Sequence, residues 1–205
     1  MRVIVPYAVE SPKTRLGSIL TPAERDSFAR VMLEDVLESL RAAGLDPDVL
    51  ATAPIDIDAP VTVDERSLTP AVNAILDDGD PVGVVMADLP LATPAALDRL
   101  FQASGEVVLA PGRAGGTNAF VARHPSFRVD YHGTSFLDHL SIAHEIGAAV
   151  SVVDSHRLST DIDEPSDLVE LLIHGEGASA TWLREAGFQL DRSGDRVTVV
   201  RENGE

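Results

Sequence analysis

Nine consecutive residues, Val82-Gly83-Val84-Val85-Met86-Ala87-Asp88-Leu89-Pro90, constrain this chain more than any other stretch. An apolar run this long, followed by an acid, reads as a strand buried on both faces at the centre of a parallel sheet. Pro90 lacks an N–H and cannot extend the ladder, so the strand ends near Asp88. Ligands of open α/β sheets sit beyond the carboxyl ends of the strands. Asp88 is therefore placed to hold a metal or meet a substrate; the plainer alternative is an aspartate that caps a turn.

The flanking segments supply the rest of the sheet. Val3 to Val5 reads as a first strand, followed by a long loop from Pro6 to Leu20. Thr21, Pro22 and Glu24 form a helix start with a capping box. Phe28, Val31, Met32, Val36, Leu37 and Leu40 then recur at helical spacing up to a stop at Gly44. Short strands are expected over 48–52 and 61–64. The pairs Thr69-Pro70 and Thr93-Pro94 each open a further helix, and 107–110 reads as the next strand. A glycine-rich turn over 111–118 leads into a strand over 119–122. A helix from Thr134 or Ser135 to about Ile146, a strand over 149–153 and a helix ending near His174 complete the pattern. Strands alternating with helices predict a three-layer α/β/α sandwich with a mixed, mostly parallel, Rossmann-like sheet. The domain is expected over 1–175. Residues 176–205, a short helix and a hairpin turned at Ser193-Gly194, read as an extension of it without chemistry of its own.

Charge narrows the partners. Thirty-three acidic against sixteen basic side chains give a net charge of −17, which argues against nucleic acid or an anionic membrane as partner. The absence of cysteine excludes disulfides and thiolate metal sites. The chain opens directly on a strand, with no signal peptide and no apolar run long enough to span a bilayer, so a cytoplasmic location is expected. Lys13 is the only lysine, arginine carrying the other positive charges. Acid-rich, lysine-poor surfaces suit concentrated salt, where screening removes self-repulsion.

Four loops carry residues suited to chemistry. Lys13 and Arg15 can meet a polyphosphate, the first as a point charge and the second as a bidentate fork. Asp88 and the Asp161/Asp163 pair can share a divalent ion, since Mg²⁺ takes one or two carboxylates plus phosphate oxygens and water. Asp161 is the stronger metal candidate, because Asp163 and Asp167 also suit the start of the following helix. Gly115-Gly116-Thr117-Asn118 and Tyr131-His132-Gly133-Thr134-Ser135 offer backbone N–H groups to a small anion. The six histidines show no metal-ligand spacing; His139 and His144 stand five residues apart rather than four.

The ordered set Pro12-Lys13-Thr14-Arg15-Leu16, Ala87-Asp88-Leu89-Pro90, Gly116-Thr117-Asn118, His132 to His139 and Asp161 to Leu168 resembles the 2-phospho-L-lactate guanylyltransferases. The resemblance covers about four-fifths of the chain, and the composition looks like that of a haloarchaeal member. It implies a nucleotidyltransferase with a glycosyltransferase-A-like sheet that makes the guanylylated intermediate of the deazaflavin coenzyme F-420. The implied substrates are GTP and a small phosphorylated three-carbon acid. By the same resemblance Asp88 and Asp161 would hold Mg²⁺, and Lys13 and Arg15 would join Asp88 in catalysis. Pro6, Tyr7, Pro70 and Asn73 would line the nucleotide, and Gly116, Thr117, Gly133 and Ser135 the acceptor. A homodimer is compatible with it. Ala8 stands where the family commonly carries a lysine, and His132 where a glycine is common. Rival readings are a molybdopterin-type or sugar-phosphate nucleotidyltransferase, or a nucleotide-binding regulator without turnover.

Overall fold

A computed structural model describes residues 1–10 and 12–202. Ser11, in the first loop, and 203–205, the end of the expected C-terminal extension, lie outside the described residues. One seven-stranded sheet dominates, built from β1 (Arg2–Tyr7), β2 (Pro47–Ala51), β3 (Val61–Val63), β4 (Val82–Val85), β5 (Val107–Pro111), β6 (Thr117–Ala122) and β7 (Val150–Val152). Its order is β3-β2-β1-β4-β6-β5-β7. All neighbours are parallel except β6, which runs against both β4 and β5. The opening apolar run thus forms the middle strand of a mixed, mostly parallel sheet, with one parallel and one antiparallel neighbour. Regular pairing stops at Val85; Met86 adds one more bond, its N–H donating to the Asn118 carbonyl at 3.0 Å.

The two faces of the sheet follow the period-two alternation of its strands. Val3, Val5, Val49, Val85 and Val108 face one side, while Ile4, Leu50, Val84, Leu109 and Phe120 face the other. The first side is covered by α1 (Pro22–Ala42), α3 (Pro94–Gln102), α6 (Asp167–His174) and α7 (Ala178–Glu185), the second by α2 (Leu68–Leu76) and α4 (Ser135–Glu145). Burial on both faces accounts for the unbroken apolar run of β4. Gly83 is required there by packing, since a Cβ at that position would lie 2.4 Å from the Phe101 ring.

Local signals worked where they were strong. Thr21 and Glu24 form the expected capping box at α1. Thr93 caps α3 through the Ala96 N–H at 3.3 Å. At α2 the Thr-Pro signal misplaces the start: Ser67 is the N-cap, and the Thr69 hydroxyl instead accepts the Tyr131 N–H at 2.9 Å. Two short elements carry no periodic signature. A 3-10 turn, Thr14–Ser18, interrupts the first loop, and α5 (His156–Ser159) precedes the acidic segment. The hairpin of β8 (Phe188–Asp191) and β9 (Thr198–Arg201) forms a separate two-stranded sheet. Ala180, Leu183 and Phe188 nevertheless belong to the same buried cluster as β1 and α1. Asp35, inside α1 and 6 % exposed, accepts the N–H groups of Ala178 and Ser179 at 2.7 and 2.9 Å and bonds the Ser179 hydroxyl. No helix among the described residues is long and apolar enough to cross a membrane.

Candidate active site

The carboxyl edge of the sheet gathers three loops: the one after β1, the one after β4, and the segment between α5 and α6. The last two are joined by the Ile162 N–H, which donates to the Asp88 carbonyl at 3.0 Å. Lys13 reaches into this junction. Its Nζ lies 2.6 Å from Asp88 Oδ2 and 2.6 Å from Asp163 Oδ1, a bridge between carboxylates 75 residues apart in sequence. Burial disfavours the charged lysine, but the two carboxylates more than offset that cost, and its pKa is raised. Lys13 is also the one non-glycine residue with positive φ among the described residues (φ 52°, ψ 43°). That conformation costs an L-residue on the order of 1–2 kcal/mol, strain of a kind that clusters at functional sites.

Asp161 stands beside this bridge, and among the described residues the neighbouring Arg15 and Arg113 pair with other acids instead. Its Oδ1 accepts from the Asn118 amide at 3.1 Å, and the same amide group donates to the Leu158 carbonyl at 3.0 Å. Gly112 is needed for this packing, because a Cβ there would lie 2.5 Å from Asn118 Oδ1. Burial raises the Asp161 pKa, the Asn118 bond opposes the rise, and the charges of Asp88 and Asp163 add to it. An additional positive charge would relieve that repulsion. As a set, Asp88, Asp161 and Asp163 do not bring their oxygens within 4.8 Å of one another. Oxygen donors from one or two of them suit Mg²⁺, which keeps several waters and phosphate oxygens in its shell. The donor chemistry therefore fits such an ion.

Asp167 and Arg113 brace the segment. Asp167 Oδ2 accepts the N–H groups of Asp163 and Glu164 at 3.1 and 2.8 Å, while its Oδ1 takes Arg113 at 2.9 Å. Asp163, expected to dress a helix start, instead faces the lysine. Arg15, 68 % exposed, stands only loosely by, 3.7 Å from Asp163 and 3.9 Å from Glu164.

Three depressions open around the cluster. One of about 350 Å³ is lined by Pro6, Tyr7, Leu50, Arg66, Leu68 and Ala71. A second, about 210 Å³, shares Pro6 and Tyr7 with it and reaches Lys13, Asp88 and Asp163. The third, about 290 Å³, lies between Arg15, Arg113, Asp161 and Asp167. A depression of about 500 Å³ between α1 and α7, larger than these three, contains none of these charged residues. Chemistry, not volume, locates the site.

The structure distributes the remaining candidates unevenly. Pro6 and Tyr7 line the first two depressions. Pro70 and Asn73 do not line them: with α2 starting at Leu68, it is Ser67, Leu68 and Ala71 that face the cavity. Pro70 is exposed, and the Asn73 amide is bonded to the Val129 backbone at 2.8 and 2.9 Å. Thr117 and Ser135 are buried and bonded together, the Thr117 N–H donating to Ser135 Oγ at 3.0 Å. Behind them His139 Nε2 accepts the Asp130 N–H at 3.0 Å, which leaves Nδ1 to donate to the Thr117 hydroxyl at 2.9 Å. Burial depresses the His139 pKa to about 4, so this ring is neutral. Gly116 closes the turn by accepting the Gly112 N–H at 2.8 Å, and Gly133 faces open space. His156, Glu170 and His174 bring one donor atom each within 4.8 Å of the others, a grouping that histidine spacing does not report because it spans two helices and includes a glutamate.

The mostly parallel sheet with one reversed strand is a fold that this chain shares with solved structures, a nucleotidyl transferase among them. A solved nucleotidyl transferase from Methanothermobacter thermautotroptrophicus superposes with a TM-score of 0.62 at 17 % identity, covering 90 % of this chain and 98 % of that one. The sequence narrows the class. A family model described as "Guanylyl transferase CofC like" matches residues 1–202. The 2-phospho-L-lactate guanylyltransferase of Halomicrobium mukohataei is 62 % identical over 202 residues, covering 98 % of this chain and 100 % of that protein. The protein of the same name from Halorubrum lacusprofundi is 59 % identical over 217 residues, with 98 % and 100 % covered. The chain belongs to the CofC-like guanylyl transferase family.

Proposed function

We propose that the chain transfers GMP from GTP to the phosphate of 2-phospho-L-lactate, or of a close three-carbon analogue such as phosphoenolpyruvate or 3-phosphoglycerate, in coenzyme F-420 biosynthesis. The observation that carries this reading is the Lys13 bridge between Asp88 and Asp163 with Asp161 left short of a counter-charge. It lies between one depression suited to a nucleoside and another flanked by arginines.

The base and ribose occupy the depression over Pro6, Tyr7, Leu68 and Ala71. The triphosphate extends toward Lys13, whose ammonium neutralises charge near the α-phosphate. The acceptor enters beside Arg15 and Arg113. An acceptor phosphate oxygen attacks the α-phosphorus; the new P–O bond forms as the bond to the β-phosphate breaks, and diphosphate leaves. The attacking oxygen is already anionic, so no general base is required, in keeping with a site built of cations and carboxylates. Positioning and charge neutralisation provide the acceleration. Asp88 and Asp161 would hold Mg²⁺, which would supply Lewis-acid neutralisation of the phosphate oxygens.

Diphosphate release with GTP, Mg²⁺ and each of the three acceptors tests the reading. Turnover with at least one acceptor, and none without it, is expected. Tight GTP binding without turnover on any of the three would favour the regulatory alternative.

A further inference from the structure

A second cluster stands outside the phosphate site. His156 opens α5, while Glu170 and His174 lie one turn apart on α6, so both project from the same helix face. His156 Nε2 is 3.3 Å from Glu170 Oε2, and His174 Nε2 is 3.6 Å from the same oxygen. One donor atom from each residue lies within 4.8 Å of the other two. Among the described residues this is the one group of three or more such side chains that converges so closely. The histidine rings stand 5.3 Å apart and nearly perpendicular.

These spacings are informative. Charge-assisted N–H···O bonds run about 2.7–2.9 Å, shorter than either approach. Donors around a tetrahedral ion with bonds of ~2.0–2.1 Å are separated by about 3.3 Å. The two nitrogen–oxygen separations lie nearer the second value than the first. The donors are also reachable, His156 and His174 being 49 % and 41 % exposed at the side chain. The hinge between the helices is held independently by Arg157, whose guanidinium donates to the His174 carbonyl at 2.8 Å.

We propose that His156, Glu170 and His174 form a binding site for a borderline divalent transition ion, Zn²⁺ being the probe of choice, with water as the fourth ligand. Two imidazoles and a carboxylate suit Zn²⁺, and by the same ligand logic Ni²⁺ or Cu²⁺; Mg²⁺, which prefers oxygen, is a poor match. The ion would clip the ends of the segment that carries Asp161 and Asp163. It thereby acts as a brace on the acidic loop and is distinct from any ion at Asp88.

The test uses the full chain, stripped with chelator and titrated calorimetrically with Zn²⁺ in excess Mg²⁺. One equivalent is expected to bind, with affinity reduced about 100-fold or more in His156→Ala, His174→Ala and Glu170→Gln. Co²⁺ should show the intense visible absorption of a tetrahedral site in the wild type and lose it in each variant. At about 100 times Kd, Zn²⁺ should raise the wild-type unfolding midpoint by roughly 5–10 °C and leave the variants unmoved. Because the three side chains are partly exposed, the metal-free variants should melt with the wild type. Equal Zn²⁺ affinity in wild type and variants, saturation only at millimolar Zn²⁺, or binding that Mg²⁺ displaces or Asp161→Asn abolishes would each overturn the proposal.

Discussion

The two sides of the sheet's carboxyl edge solve the same problem, burying polar groups, in opposite ways. On the Lys13 side charge is set against charge, and the account does not balance: Asp161 keeps a raised pKa beside Asp88 and Asp163. On the Thr117 side every link is neutral, and hydrogen bonds run from the Asp130 N–H through His139 and Thr117 to Ser135. An unsatisfied charge cluster gains by taking a ligand, whereas a closed neutral network gains nothing and serves as scaffold. Under the proposed function, the first region would carry the chemistry and the second the shape.

Substitutions can break that contrast. Asp88→Asn should cut turnover on the order of 10³-fold while leaving the fold intact, since it removes both a lysine partner and the proposed cation ligand. Diphosphate release and circular dichroism check it, and near-normal activity would move the chemistry elsewhere. Lys13→Met should lower the melting midpoint and turnover together, because it leaves Asp88 and Asp163 to repel each other. Added Mg²⁺ should restore part of the stability but little of the rate.

Effects on the neutral side should be confined to stability. The folded pKa of His139 lies near 4, below its ordinary value of 6.5, so the unfolded chain takes up the proton first. Stability is therefore full above pH 6.5 and falls as the pH drops toward 4, by up to about 3 kcal/mol from this group. His139→Gln should lack that part of the slope in denaturant titrations run at successive pH values. Thr117→Val strands the His139 Nδ1–H and should cost about 1–3 kcal/mol, with kcat within a few-fold of wild type. A large loss of kcat would place Thr117 among the groups that touch substrate.

Much of this architecture was written in local pattern. Apolar runs located the strands, and Thr21 with Glu24 located α1, because short-range sterics and hydrogen bonds decide those features. The reversal of β6 depends on how the turn over 111–116 directs the chain, which apolar spacing does not report. Lys13 was conspicuous as the single lysine, and Asp88 as an acid closing a buried strand. Their direct contact, and the part played by Asp163, arise from loops brought together only in the fold. Asn73 was placed by resemblance near the nucleotide, but its amide matches the Val129 backbone, a long-range bond with no sequence signature. The His156 cluster escaped because its members are spread over nineteen positions and two helices, and only Glu170 and His174 share a helical turn.

Asp35 carries a consequence for how the protein is made. A carboxylate placed inside α1 and almost fully buried must be met by donors, and these come from Ala178 and Ser179, more than 140 residues later in the chain. During synthesis, α1 leaves the ribosome long before they exist. Until α7 emerges, the nascent chain must keep that side of α1 hydrated or leave an anion stranded in an apolar layer. The layer over α1 can therefore seal only when translation is nearly finished, and a chain released before α7 should be a target for proteolysis.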